Sequence, residues 1–233
     1  MAFRFKQFTV EQERCPMKVG TDGVLLGAWV PLRASDRRIL DIGTGTGLIA
    51  LMLAQRAPEA HLAAIDVDAA CAEQARGNAD RSPWGSRIVT ACVPVQEFRA
   101  EPFDLIVSNP PFYDRSLLPP DAGRERARHT TSLTFGELLG AVDRLLAPQG
   151  RFALVLPAQE ARRFRMLASS RLWLEAQTEV RTTPRSGVRR SLMLFSRQQP
   201  AAAPEPRELI IQTAPECFTP EYRALTADFY LKF

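Results

Sequence analysis

Apolar positions along this chain alternate between two rhythms. Short unbroken runs at Arg38 to Ile42, His61 to Asp66, Arg87 to Ala91, Phe103 to Ser108 and Arg151 to Leu156 have the length of strands buried on both faces. Between them lie helical stretches. Leu48 to Gln55 sets Leu48, Leu51, Met52 and Gln55 at helical spacing. Ala69 to Ala79 is alanine-rich, Leu133 to Leu146 is closed by Pro148 and Gly150, and Glu160 to Ser170 follows. Trp173 to Arg181 and Ser191 to Ser196 read as the last two strands, with the flexible basic loop TTPRSGVRR between them. Strands alternating with helices predict an α/β domain: a mostly parallel, seven-stranded sheet with helices on both faces. The ends add smaller pieces. Phe3, Phe5 and Phe8 predict a short strand with an aromatic face, and Thr21 or Asp22 an N-cap for a helix over Val24 to Trp29. Gln198 to Pro206 is an extended connector, and Glu208 to Gln212 is strand-like. Pro220 to Phe233 forms a terminal helix that docks through Tyr222, Leu225, Phe229 and Tyr230. The chain therefore reads as one domain over 1–233, with a segment at 1–30 and an extension at 207–233 packed on it.

Composition changes this picture in one respect. A 233-residue chain with 45% hydrophobic and 24% charged residues suits one large soluble domain, and no run reaches the length of a membrane span. The N-terminus lacks the apolar stretch of a signal peptide, which points to the cytoplasm. The four cysteines form no C-x-x-C pair and lie far from His61 and His129, so the reading is free buried thiols and no metal site. Charge, however, is uneven. Residues 115–197 hold 15 arginines against 7 acids, a local balance of +8 in a chain of net +4. That segment suits an anionic partner such as nucleic acid, although arginine-rich composition by itself gives the same count.

The candidate chemistry begins where the first strand ends. Asp41 is followed by three alternating glycines, Gly43, Gly45 and Gly47, giving D-x-G-x-G-x-G. Glycine lets the backbone turn sharply and approach a ligand closely. The third glycine arrives one residue earlier than in the dinucleotide fingerprint. The spacing resembles the first motif of Rossmann-like class I S-adenosylmethionine-dependent methyltransferases, in which the loop packs on the cofactor's amino-acid and ribose parts. A tight turn with no ligand fits the glycines alone. Asp66, ending the second strand 19 residues after Gly47, argues for a ligand, because an acid there accepts hydrogen bonds from both ribose hydroxyls.

Asn109-Pro110-Pro111-Phe112 follows the fourth strand, so it gathers with Gly43 to Gly47 and Asp66 at the carboxyl end of the sheet. It has a role if the acceptor is a planar amine or amide nitrogen, whose lone pair is delocalised. The Asn109 side-chain oxygen and the Pro110 carbonyl would accept from the N–H groups and free the lone pair, while Phe112 stacks on the flat acceptor. A rigid turn with Phe112 in the core is the structural alternative.

The N-P-P-[FY] motif resembles that of amino-methyltransferases acting on adenine N6, guanine N2 of ribosomal RNA, or release-factor glutamine. The flanking segments FKQFTVEQERCPMKVGTDGVLLGAW, RERARHTTSL and YRALTADFYL resemble the bacterial tRNA1(Val) (adenine37-N6)-methyltransferases over nearly the whole chain. The resemblance implies methylation of the adenine just after the anticodon of a valine tRNA. It implies S-adenosylmethionine at Lys18, Thr21, Asp41, Gly43, Thr44, Gly45, Asp66 and Asn109, and catalysis by Asn109, Pro110 and Phe112. It also turns the helix after Gly20 into a lid over the cofactor. Two departures stand out: Ala91-Cys92-Val93-Pro94 replaces the acid that contacts the cofactor adenine in many relatives, and Phe112 stands where tyrosine is commoner. Arg124, Arg126, Arg128, Arg185, Arg189 and Arg190 are expected to contact RNA phosphates, the alternative being solvated surface arginines. Competing readings are a ribosomal or release-factor acceptor, a non-catalytic RNA-binding module, and a nicotinamide-dependent oxidoreductase, for which no hydride-transfer site is visible. A monomer or weak homodimer is expected.

Overall fold

The computed structural model describes residues 2–110 and 133–232; Pro111, Phe112, Arg124, Arg126 and Arg128 lie outside them. A two-stranded hairpin, β1 (Phe3–Arg4) and β2 (Thr9–Val10), precedes α1 (Thr21–Trp29). The alternating core follows as β3 (Arg38–Ile42), α2 (Leu48–Arg56), β4 (His61–Asp66), α3 (Ala69–Asp80), β5 (Ile88–Cys92) and β6 (Phe103–Ser108). It continues with α4 (Phe135–Leu145), β7 (Leu146–Pro157), α5 (Ala158–Ala168), β8 (Trp173–Arg181) and β9 (Arg190–Ser196). The C-terminal part contributes β10 (Arg207–Ile210), a small ribbon of β11 (Gln212–Ala214) and β12 (Cys217–Phe218), and α6 (Pro220–Thr226).

The main sheet has the order β10-β8-β9-β7-β6-β3-β4-β5. Its seven expected strands are present, and β10 adds an eighth at the edge, parallel to β8. Among the described strands of this sheet only β9 runs against its neighbours. That reversal places Arg190 beside Pro157, at the rim where β3, β4, β6 and β7 end. The helix α1, the helix α2, α6 and the aromatic hairpin fill one face around Leu25, Leu51, Ile39 and Leu105. The helices α4 and α5 fill the other around Leu138, Val142, Phe152 and Phe164.

Several element ends differ from the sequence expectation for identifiable reasons. Thr134 and Glu137 form a reciprocal capping box, so α4 begins at Phe135 rather than Leu133, and Leu146 is already extended and opens β7. Gly20 precedes α1 with no side-chain cap; neither Thr21 nor Asp22 caps it, because both lie inside the helix. The aromatic N-terminus is a hairpin rather than one strand. Cys15 and Cys71 are buried as expected, whereas Cys92 and Cys217 are exposed. The helix α1 is packed as a layer, with Gly23 to Ala28 buried against α2, rather than hinged as a flap.

Part of the arginine excess serves the fold itself. Arg144 donates to the Val95 and Phe98 carbonyls, Arg197 pairs with Asp143, and Arg163 with Glu160. Arg87, outside that segment, holds the last carbonyls of α2 at Ala54 and Ala57. Arg151 is buried with Asp36 at 2.6 Å and also donates to the Pro31 carbonyl at 2.9 Å.

Candidate active site

Strand register assembles the site. Ile42 lies beside Ser108 on one side and Ile65 on the other. The next residues of these three adjacent strands, Asn109, Gly43 and Asp66, therefore stand abreast at the carboxyl rim, at the usual strand spacing of about 4.8 Å. The Ser108 hydroxyl donates to the Ile42 carbonyl at 2.9 Å and pins β6 to β3 just before Asn109. Asn109 is half-buried and Pro110 buried.

The glycine turn is bonded to the end of β4. The amides of Gly43 and Thr44 donate to the Ile65 carbonyl at 2.9 and 3.0 Å. The Gly45 amide donates to the Asp66 carboxylate at 2.9 Å. Gly43, Gly45 and Gly47 have φ of 71°, 55° and 82°, left-handed conformations that disfavour any side chain. A Cβ on Gly43 or Gly45 would meet nothing within 4 Å among the described residues, so the two form the floor of an open cradle. Gly47 is different. A Cβ there would approach Ala75 of α3 at 3.2 Å, so this glycine serves helix packing.

Beneath the turn, Asp41 is fully buried. The Thr44 hydroxyl donates to one of its oxygens at 2.6 Å, and the Ala50 backbone amide also acts on the carboxyl. Burial pushes the carboxyl up to about 7, against the Thr44 hydrogen bond. Because folding raises this group's pKa, the stability linked to it is full near pH 4 and is lost as pH rises to about 7. Urea denaturation between pH 4 and pH 8 should show wild type losing stability relative to Asp41→Asn over that window, then running parallel to it. A pH-independent difference would contradict the buried, proton-holding state.

Asp66 accepts from Gly45 through one oxygen and from the Asp68 amide at 3.0 Å through the other. A carboxylate has further lone pairs, so it retains capacity for a diol. Asp68 in turn caps α3 through the Ala70 amide at 2.8 Å. The pattern of an acid before an alanine-rich helix carries that cap in the sequence. Asn78 was not legible in the same way. Fully buried, it exchanges hydrogen bonds with the Glu11 backbone and donates to the Thr46 carbonyl at 2.8 Å. It thereby ties the N-terminal segment to the glycine turn.

That segment runs along α3, with Arg14 pairing with Glu73 at 2.8 Å. Lys18 donates to the Gln12 and Cys15 carbonyls, so its ammonium closes the 12–18 turn. Thr21 stands at the head of α1, two residues before Gly23, whose missing Cβ would sit 3.0 Å from Leu48. The head of α1 thus adjoins the start of α2. Where relatives carry an acid for the cofactor adenine, β5 ends at Cys92, and the Val93 amide donates to the Asp66 carbonyl at 2.8 Å. Arg185 and Arg189 are exposed on the β8–β9 loop at the same rim. Arg190, by contrast, is held by Asp22 at 2.7 Å, so it is a partly committed rather than a free phosphate ligand.

Among the described residues no cluster of three His, Cys, Asp or Glu side chains forms a metal site, and no helix is long and apolar enough to cross a membrane.

Residues 23–169 match the family model of the methyltransferase small domain. The chain is 46% identical to the tRNA1(Val) (adenine(37)-N6)-methyltransferase of Bacteroides fragilis strain YCH46 over 238 residues, covering 99% of this chain and 98% of that one. It is 47% identical to the protein of the same name from Phocaeicola vulgatus, covering 98% and 97%. The enzyme of that name from Aeromonas hydrophila is 44% identical, covering 99% and 97%. In fold it is similar to the crystal structure of Atu636 from Agrobacterium tumefaciens, described as a predicted O-methyltransferase, with a TM-score of 0.71 and 22% identity over 89% of this chain and 96% of that one. The human methyltransferase 10 domain containing protein gives a TM-score of 0.53 at 19% identity, covering 82% and 90%.

Proposed function

Because this chain belongs to the tRNA1(Val) (adenine(37)-N6)-methyltransferase family, we propose that it carries out the reaction for which its relatives are named: transfer of a methyl group from S-adenosylmethionine to N6 of adenine 37 in tRNA1(Val), beside the anticodon. The observation that carries this reading is the register that sets Gly43, Asp66 and Asn109 abreast on three neighbouring strands. It sets the residues proposed to cradle a nucleoside beside Asn109, the residue proposed to polarise the amine.

The open cradle over Gly43 and Gly45 and the Asp66 carboxylate beside it, with lone pairs to spare, fit this cofactor. When bound, S-adenosylmethionine supplies a methyl group already activated on a sulfonium. Gly43, Thr44 and Gly45 would hold its amino-acid and ribose parts, with Asp66 accepting from the ribose hydroxyls. Lys18 and Thr21 would close the site from the N-terminal segment, Lys18 by shaping the 12–18 turn. Asn109 and the Pro110 carbonyl accept from the two N6 hydrogens and turn the lone pair toward the donor. Orientation then contributes much of the rate. The cationic product nitrogen gives up its proton readily, so no strong base is required. Phe112 is proposed to stack on the adenine. Arg124, Arg126, Arg128, Arg185 and Arg189, with Arg190 in part, are proposed to meet the anticodon-loop phosphates. A base in such a loop is single-stranded and is splayed out at modest cost. The protein is proposed to act in the cytoplasm as a monomer or weak homodimer.

Incubation with labelled cofactor and unmodified valine tRNA, the same tRNA with guanine at position 37, ribosomal RNA and release factor tests the reading. Label should enter only the tRNA carrying adenine 37. Label in the guanine variant, in ribosomal RNA or only in protein would move the assignment to a different acceptor.

A further inference from the structure

A cavity of about 680 Å³ opens at the carboxyl rim between the head of α1, the ends of β8 and β9, and the C-terminal extension. This volume is within the range of small-ligand pockets. Val180, Leu25 and Ile211 contribute apolar lining, and Phe218, Tyr222 and Tyr230 form an aromatic wall. The rings of Phe218 and Tyr222 are stacked with centroids 5.4 Å apart, and Tyr222 and Tyr230 follow at 6.5 Å. Thr182 and Gln212 add hydrogen-bonding groups to the lining. Asp22 is the acid there, and its carboxylate is paired with Arg190. Arg189 and Lys232 are exposed and have no acidic partner among the described residues, so the mouth is cationic.

An aromatic wall with unpaired cations is the makeup of a site for an unstacked nucleotide: the ring stacks and the cations meet phosphate. Position agrees. From β6, which leads into Asn109, to β8 is three strand spacings, about 14 Å. That is within the few-nucleotide reach of a single-strand groove. The head of α1 borders both the cavity and the start of α2 behind the glycine turn.

We propose that this cavity takes a nucleotide of the substrate RNA flanking the methylated adenine, its base against the aromatic wall and its phosphate against Arg189 and Lys232. This assignment rests on the RNA methyl transfer proposed above.

Two variants test it with an unmodified valine tRNA. Thr182→Trp fills the mouth without changing charge, and Arg189→Ala/Lys232→Ala removes the cations. Each should raise the tRNA Kd at least about 10-fold, with Kd for S-adenosylmethionine and Tm unchanged as controls on folding. The double variant should also lower the slope of log Kd against log salt by roughly 1 to 2. Wild-type tRNA affinity in either variant overturns the cavity's role. Wild-type enzyme that transfers methyl to no RNA overturns the proposed function instead, and the two failures are read in separate measurements.

Discussion

Asn109→Ala should lower kcat for tRNA methylation by roughly 10²–10³-fold, the scale seen when one preorganised polar contact to a reacting group is removed. Affinity for S-adenosylmethionine should stay within a few-fold, because the glycine turn is bonded to Ile65 and Asp66 at the end of β4 and does not depend on the Asn109 side chain. The lost contact is one that tightens as the amine becomes tetrahedral. It should therefore lower kcat and kcat/KM together rather than raise KM alone. Asn109→Asp keeps acceptor oxygens in place and should recover part of the rate. Single-turnover kinetics with cofactor titration separates the possibilities. Wild-type activity in Asn109→Ala, or a loss that tracks loss of cofactor binding, would deny Asn109 its role at the amine.

Asp36→Ala should be the most destabilising substitution away from the site, by about 3–5 kcal/mol, because it leaves a charge buried without its partner. The Arg151 side chain is 2% exposed and that of Asp36 3%. Burial lowers the Arg151 pKa, and the adjacent carboxylate opposes that shift. Asp36 also accepts from the Arg33 amide at 2.7 Å, which fixes the turn between α1 and β3. For a domain of this size the loss corresponds to a fall in Tm of about 10 °C. Arg151→Met with Asp36→Leu removes both charges and should cost much less than either change alone. A single substitution that costs under about 1 kcal/mol would show that water reaches the pair.

What the sequence made legible follows the physics of each signal. The bounds of β3, β4 and β6 and the glycine turn were readable because buried parallel strands are written as unbroken apolar runs and the turn needs glycine. The places of Asp41 in β3 and Asp66 at the end of β4 were readable with the strand bounds themselves. Features that depend on distant partners were not. Nothing local distinguishes Asn78 from any other helical asparagine, yet it joins residues 11 and 46. Arg190 reads as one more loop cation until the reversal of β9 brings it to Asp22 of α1. The short edge strand β10 was legible as a strand over Glu208 to Gln212, but not its parallel pairing with β8, which depends on a partner distant in sequence.

The two terminal regions are stitched to each other. The Lys6 amide donates to the Phe229 carbonyl at 2.8 Å and its ammonium to the Ala227 carbonyl, while Phe5 stacks near Tyr230. Residues 227–230 are synthesised long after residues 3–8. During translation the aromatic hairpin is therefore without its final cover, and the segment it leads into, the one Asn78 ties to the glycine turn, is incompletely anchored. A ribosome-bound nascent chain lacking residues 207–233 should accordingly be a poor cofactor binder and a ready client for chaperones that recognise exposed aromatic surface. Cofactor binding should appear only once residues 227–230 have emerged to cover the hairpin.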